Sequence, residues 1–480
     1  MTQVSEKRHP MALSILTLLF FIWGFLTVLN DILIPYLKKI FELNYFEVMF
    51  IQFAFFGAYF IGSLIYFIIS TKFGDPISRI GYKKGILAGL VISAIAALLF
   101  YPAAAYRVFP LFLVALFVLG LGFTLLQISA NPYVAILGPS ETASSRLNLA
   151  QAFNSFGTTI GPIFGGWLIF SFFGTRGKAL LDSAGNQIYT DDGGIMSAMG
   201  IQMPYLLFAG VLILLFFVIL GTKLPSIEGT DIIHKDAGAL KYRNLVFGMV
   251  AIFFYVGAEV SIGSLMINFF KLPEIAGLGE NDGKIYLAFY WGGAMIGRFL
   301  GAISLSDYKG SKYMKQLLMV GVSLITFFFI WFIAKMNNGL SLASVLPYLI
   351  FIAVNLIGFM IGRSKAHTTL MVFALVIIGL LTLVVSTEGV ISFWSLIGIG
   401  LFNSIMWSNI FTLAIKDLKE YTSQGSSLLV MAILGGALIP LVQGAFADAY
   451  GLHISFAVPI ISYIYLAWYG WKGYVPKKFA

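Results

Sequence analysis

The chain has 480 residues, of which 59% are hydrophobic, 16% aromatic and 11% charged, with a net charge of +9 at pH 7. Soluble globular proteins carry about 25% charged residues, so this composition excludes that class and indicates a polytopic membrane protein. The chain contains no cysteine, which excludes disulfide bonds and thiol chemistry.

Hydrophobic runs predict fourteen membrane-spanning helices, separated into six and eight by a polar segment. The opening MTQVSEKRHP forms a short charged tail, and the apolar run after it is too long for a signal peptide and lacks a small-residue cleavage site. The first six spans are Met11–Leu37, Phe46–Ser70, Gly85–Phe100, Pro110–Leu137, Leu147–Phe172 and Met203–Leu220. The other eight are Leu245–Phe270, Lys284–Leu305, Met314–Ala334, Ser344–Ile361, Thr369–Val385, Ile391–Ile415, Ser427–Ala447 and Ile454–Trp471.

The distribution of positive charge predicts the orientation of these spans. With the N-terminus inside, 21 of the 30 Lys and Arg residues fall in cytoplasmic segments. Cytoplasmic loops carry such an excess of Lys and Arg, and the even span number places both termini on the cytoplasmic side. The net positive charge is therefore a topology signal and does not indicate a nucleic-acid partner.

Glycine, proline and asparagine positions indicate that the chain contains an internal repeat. A shift of 278 residues places Gly122, Asn131, Gly157, Pro162 and Gly166 on residues of the same type. The second span matches the eighth at a shift of 235, so two helices within Met314–Ile361 lack a counterpart in the first half. Many secondary transporters are built from such repeats.

This repeat predicts an all-α membrane protein with two pseudo-symmetric six-helix bundles and two extra helices. The expected divisions are an N-terminal bundle at 1–220, a cytoplasmic linker at 221–244 and a C-terminal bundle at 245–480. The last of these contains the inserted hairpin near 314–361.

Polar amides concentrate in the stretch Leu125–Gly157, which reads as two membrane helices joined by a short turn. Gln127 and Asn131 are four residues apart and share a helical face, and Gln151 and Asn154 share a face of the next helix. An amide facing lipid costs several kcal/mol, so these side chains face protein or water. The alternatives are hydrogen bonds between packed helices and a lining for a hydroxyl-rich small molecule.

The first span of each half contains one carboxylate. Asp31 and Glu259 are 228 residues apart, and each follows a hydroxyl-bearing residue, Thr27 or Tyr255, by one turn. A charged side chain at mid-membrane costs ~2.5–3.5 kcal/mol, which indicates a function. Asp31 could instead mark the end of its span, and Glu259 could form a structural contact between helices. Either carboxylate could take up a proton or hold Na⁺, and these alternatives stay open.

Other chemistry-bearing patterns are weak. Arg298 follows Gly297 in the eighth span, where it either snorkels or pairs with an acid, and a structural role is the simpler interpretation. The histidines lie far apart, so no metal site, no catalytic triad and no cofactor is expected. A phosphate-binding loop of the G-x-x-x-x-G-K-[ST] type is absent, which argues against ATP as the energy source.

Five runs from both halves of the chain are distinctive: GFLTVLNDILIPYLK, LLQISANPYVAILGP, RLNLAQAFNSFGTTIGP, YVGAEVSIGS and GLFNSIMWSNIFTLAIKDL. They resemble the fucose–galactose–glucose proton symporter family of the major facilitator superfamily, and more its glucose/galactose branch than its fucose branch.

The resemblance implies roles for individual residues. Asp31 matches the aspartate that fucose permeases carry in span one, whereas Gln127 stands where those permeases carry a glutamate. Gln151 and Asn154 stand where the family places its sugar-binding Gln and Asn. The run MWSNIF departs from a Phe-Pro-Thr run of relatives, and its Trp407 offers a face on which a sugar can stack.

The resemblance therefore implies a secondary transporter, not an enzyme, that imports a hexose of the glucose/galactose or fucose class by cation-coupled symport and alternating access. The expected coupling ion is H⁺ or Na⁺, and the expected partners are the sugar and the lipid bilayer, with the protein a monomer in the bacterial inner membrane. The alternatives are a proton-coupled drug or metabolite antiporter and, less favoured, a membrane-embedded enzyme. The expected sugar-binding residues are Asn30, Gln127, Asn131, Gln151, Asn154, Tyr255, Asn403 and Trp407, and the coupling residues are Asp31 and Glu259.

Overall fold

The structure, a computed structural model, describes residues 9–43, 45–174, 176–189, 196–225 and 235–479. Inside the helices it describes the backbone alone at 30–36, 38–39, 45–49, 52, 162–163, 170–171, 280–281 and 337–338. The described chain is almost wholly helical. Isolated β-bridges join Ala179 to Ser197, Leu181 to Gln187 and Tyr242 to Lys478.

Among the described residues, seven helices precede the polar linker and eleven follow it. Six of the first seven are long, and the short α3 begins at a proline and is capped by Asp75, whose side chain accepts a hydrogen bond from the Ile77 backbone N–H. They are α1 (Pro10–Ile40), α2 (Tyr45–Phe73), α3 (Pro76–Ile80), α4 (Tyr82–Tyr106), α5 (Phe109–Ile136), α6 (Ala143–Gly166) and α7 (Met199–Gly221). A π-helical turn, Trp167–Phe172, extends α6.

Eleven helices follow the linker, several of them segments of one interrupted span. They are α8 (Arg243–Lys271), α9 (Glu280–Ser304), α10 (Lys312–Asn338), α11 (Tyr348–Gly362), α12 (Ala366–Ser386), α13 (Gly389–Asn403), α14 (Met406–Ala414), α15 (Thr422–Met431), α16 (Gly435–Tyr450), α17 (Leu452–Ser455) and α18 (Val458–Trp468).

These helices account for the predicted spans. In the described part of the chain, eleven helical stretches are long and apolar enough to cross a membrane. Three more predicted spans are also helical: α6, the charge-bearing α9 and the 15-residue apolar α11. The prediction of an all-α polytopic membrane protein is confirmed.

The chain divides into two compact units. The first unit comprises His9–Tyr133 and Phe156–Asp236, and the second comprises Val134–Ser155 and Ala237–Ala480. The second unit thus includes the turn between α5 and α6. Arg146 holds that turn, because its guanidinium donates to the carbonyl oxygens of Val134 (3.1 Å) and Pro139 (3.0 Å).

Matching glycines produce the same close helix packing within each unit. A Cβ atom on Gly157 of α6 would collide with the carbonyl oxygen of Phe21 in α1. A Cβ atom on Gly435 of α16 would collide with the carbonyl oxygen of Phe253 in α8. Each unit therefore packs the first helix of its repeat against a glycine that the sequence repeat pairs, which agrees with the predicted duplication.

Candidate functional site

A charged group lies at the middle of α8 in the second unit. Glu259 is about 24 Å along the helix from Arg243 and about 18 Å from Lys271, and it is half-buried. The Tyr255 hydroxyl, one turn earlier, donates a hydrogen bond to its carboxylate. Arg298 of α9 supplies the positive charge that acts on Glu259. The structure thus hydrogen-bonds the second-half carboxylate to the tyrosine predicted beside it and places an arginine near enough to act on its charge.

Arg298 connects three other segments of the second unit. Its Nε donates to the Ser404 carbonyl oxygen at 3.1 Å, and its Nη1 donates to the Ser155 hydroxyl of α6. Nη1 also approaches the Gln151 carbonyl oxygen at 3.5 Å. A guanidinium carries five donors in a fixed planar arrangement, which suits it to hold several acceptors at once.

A chain of buried hydroxyl and amide groups leads from Glu259 to α18. The Tyr290 hydroxyl donates to the Glu259 backbone carbonyl oxygen at 3.1 Å. Asn403 donates through Nδ2 to the Tyr290 hydroxyl at 3.0 Å and accepts from the Tyr463 hydroxyl at 2.7 Å. Both polar atoms of Asn403 are therefore bonded to tyrosines, and this buried amide links α9, α13 and α18.

The helix is interrupted at Ser404 and Ile405, between α13 and α14, and we call this interruption the bend. The Ser404 hydroxyl donates to the Leu401 carbonyl oxygen at 2.6 Å, and such local side-chain bonds compete with the helical ladder. Trp407 follows the bend, 8% exposed, with its ring stacked on Phe411. Its indole N–H is buried and has no hydrogen-bond partner among the described residues.

The first unit contains a hydrogen-bonded group of uncharged side chains, formed by Tyr59, Gln127 and Trp23, which we call the neutral group. The Tyr59 hydroxyl is hydrogen-bonded to the side chains of Gln127 in α5 and Trp23 in α1. All three residues are buried, and Trp23 packs edge-on against Phe123. Because an indole N–H can only donate, the Tyr59 oxygen accepts from Trp23.

The other predicted amides also occupy the helices expected from the sequence. Asn131 is fully buried in α5, one turn after Gln127. Gln151 is buried and Asn154 half-buried in α6, in the part of that helix that belongs to the second unit. The side chains of Asn30 and Asp31 lie outside the described ones, so their predicted roles stay predictions.

The sequence interpretation gave Arg298 a structural role and did not select Tyr290 or Tyr463. An arginine in the middle of a span demands a nearby counter-charge, and Glu259 was the acid most deeply placed in that half. That rule could have found Arg298. The tyrosines carry no comparable signal, because 23 tyrosines occur throughout this chain. The described residues contain no group of three or more His, Cys, Asp or Glu side chains that could hold a metal ion.

A repeated set of apolar helices long enough to cross a membrane, with an acid and a base in their middle stretches, is typical of a secondary transporter. The sequence model of the Major Facilitator Superfamily matches residues 15–362, and the chain belongs to that family.

Named relatives agree with the predicted resemblance. The chain is 44% identical to a glucose/galactose transporter of Brucella abortus, over 98% of this chain and 95% of the relative. It is 30% identical to the L-fucose-proton symporter of Escherichia coli, over 93% and 89%. The crystal structure of FucP in the outward conformation covers 96% of this chain and 98% of its own, at 27% identity, with a TM-score of 0.73.

Proposed function

We propose that this protein imports a hexose by cation-coupled symport with alternating access. The observation that carries the proposal is the mid-membrane pair of Glu259 and Arg298, joined to hydroxyl and amide groups that suit a sugar. The 44% identity to a glucose/galactose transporter, against 30% to a fucose symporter, favours a sugar of the glucose/galactose class. The chain is a transporter and not an enzyme.

Sugar recognition requires neutral donors and acceptors together with an apolar face. We assign the face to Trp407, whose buried indole N–H can also donate to a sugar hydroxyl. Asn403 contributes by holding Tyr290 and Tyr463 through both of its polar atoms. The remaining assignments are Asn30, Gln127, Asn131, Gln151, Asn154 and Tyr255.

Coupling requires a group whose charge or ion occupancy changes during the cycle. We assign this role to Asp31, the carboxylate that matches the family, and place Glu259 as a second coupling group. Because Gln127 cannot ionise, both H⁺ and Na⁺ are candidates for the coupling ion. The Glu259 carboxylate would change its attraction for Arg298 on binding either cation.

The proposed setting is the bacterial inner membrane, with both termini cytoplasmic and the protein a monomer in the bilayer. The bundles are assigned to 1–220 and 245–480, with the cytoplasmic linker at 221–244. The hairpin near 314–361 then turns on the extracytoplasmic side. In this cysteine-free chain, Asn338→Cys should react with an impermeant maleimide added outside intact cells. Labelling only in inverted vesicles would contradict this topology.

Uptake into proteoliposomes tests the function. Labelled glucose should accumulate above its external concentration when an inward proton or sodium gradient is imposed, and galactose should compete. Accumulation with one ion and not the other identifies the coupling cation. Outward release driven by an inward proton gradient would support the antiporter alternative, and absence of hexose flux under both gradients would refute the proposal.

A further inference from the structure

The two helices without a counterpart in the first half, α10 and α11, contact the helices of the charged network. Ile330 of α10 packs where a Cβ atom on Gly292 of α9 would lie. Phe351 of α11 lies against Gly398 of α13 in the same way. The inserted pair thus packs on α9, which carries Tyr290 and Arg298, and on α13, which carries Asn403.

Helix α11 buries two polar side chains on its protein-facing side and exposes apolar side chains on the opposite side. Tyr348 and Asn355 are seven residues apart, share a face and are both fully buried. Ile350, Ile357 and Met360 are more than half exposed. Apolar exposure suits contact with lipid, whereas a buried amide is stable at this depth only with a hydrogen-bond partner.

Both buried groups donate to backbone carbonyl oxygens beside the network. The Tyr348 hydroxyl donates to Phe289 at 2.9 Å, directly before Tyr290. Its ring packs against those of Phe289, Phe327 and Trp394, which belong to α9, α10 and α13. Tyr348 therefore fixes α9 at the position from which Tyr290 reaches Glu259.

Asn355 acts at the bend between α13 and α14. Its Nδ2 donates to the Leu401 carbonyl oxygen at 3.1 Å, the same atom that accepts from the Ser404 hydroxyl. On the other side of the bend, the Ser404 carbonyl oxygen accepts from Arg298. Side chains from α9 and α11 thus bind carbonyl oxygens released where the helix is interrupted, and the direction of α14 depends on them.

We propose that the inserted helices fix the bend between α13 and α14, with Asn355 as the positioning residue that sets the place of Trp407 relative to Asn403. Asn355 itself does not touch the sugar in this proposal. The part that concerns the bend is independent of the proposed function, whereas the part that concerns sugar affinity rests on it.

Asn355→Leu tests the bend, because it preserves side-chain size and removes the donor. In sugar-free protein, amide hydrogen exchange of the segment 404–408 should accelerate about five- to tenfold, the equivalent of one buried hydrogen bond. Exchange in α8 should not change. Ile357→Ala, on the exposed face of the same helix, is the matched control and should leave exchange at 404–408 as in the original protein. Unchanged exchange at 404–408 in Asn355→Leu, or a uniform rise across the second unit, would overturn the proposal.

Transport kinetics test the consequence for the sugar. In proteoliposomes Asn355→Leu should raise the KM for glucose about three- to tenfold and leave the maximal rate within about twofold. An unchanged KM together with faster amide exchange at 404–408 would refute the positioning role. If the original protein transports no hexose, the proposed function fails and the exchange result still decides the claim about the bend.

Should Asn355→Leu fail to fold, Asn355→Ala provides the same test, because it removes the same donor with a smaller side chain. Exchange at 404–408 should again accelerate, and unchanged exchange there in the folded variant would overturn the proposal.

Discussion

In the first unit an amide and an indole bind the Tyr59 hydroxyl, whereas in the second unit a tyrosine and an arginine act on the carboxylate of Glu259. The first of these groups is neutral and the second carries opposite charges. Neutral donors and acceptors bind sugar hydroxyls without a change of charge, whereas a carboxylate can change its charge when a cation binds. The comparison therefore suggests that neutral groups serve recognition and carboxylates serve coupling, with Glu259 as the second coupling group beside Asp31 of the first half.

Removing the positive charge of Arg298 should have the largest effect on stability and transport. Arg298→Gln removes the positive charge that acts on Glu259 and also weakens the bond to Ser404, and a hydrogen bond from a charged donor contributes about 1.5–3 kcal/mol. We expect a markedly lower thermal unfolding midpoint and loss of sugar accumulation. The double variant Glu259→Gln/Arg298→Gln should recover most of the midpoint and none of the accumulation. A double variant as unstable as Arg298→Gln would show that the pair does not act as a unit.

The amides of α6 should give the next largest effect. Gln151→Ala or Asn154→Ala should weaken glucose binding by about 1–3 kcal/mol, or roughly five- to 150-fold, because one hydrogen bond is lost and its partner is stranded. Equilibrium binding to purified protein measures this. Phe164→Ala, an exposed position on the same helix, is the control. Unchanged affinity in folded Ala variants would remove these residues from the sugar site.

The neutral group of the first unit should give the smallest effect. Tyr59→Phe removes the hydroxyl that Gln127 and Trp23 bind, and a neutral hydrogen bond contributes about 0.5–1.5 kcal/mol. Glucose affinity should fall by about two- to tenfold, and the number of ions moved per sugar should not change. A changed ion-to-sugar ratio would break the division between recognition and coupling.

The sequence predicted the helical architecture well because apolar runs, positive charge and the glycine repeat are local or periodic signals. Each of the fourteen predicted spans coincides with a helical stretch of the structure, including the two inserted helices. It did not predict the interruption after Asn403 or the π-helical end of α6, since these depend on tertiary partners such as Asn355 and Arg298. The sequence left Arg298 between snorkelling and pairing with an acid and did not identify Glu259 as that acid, because two charges on separate helices meet only through packing that a sequence does not contain.

The central claim is that a first-half carboxylate, Asp31, couples the cation to the sugar. The variant Asp31→Asn tests this claim most directly. Proteoliposomes containing this variant should exchange labelled for unlabelled glucose at a measurable rate, because exchange needs no net ion movement. They should not concentrate glucose under the gradient that drives the original protein. If Asp31→Asn still concentrates glucose and Glu259→Gln does not, the coupling residue lies in the second half and the assignment to Asp31 is wrong.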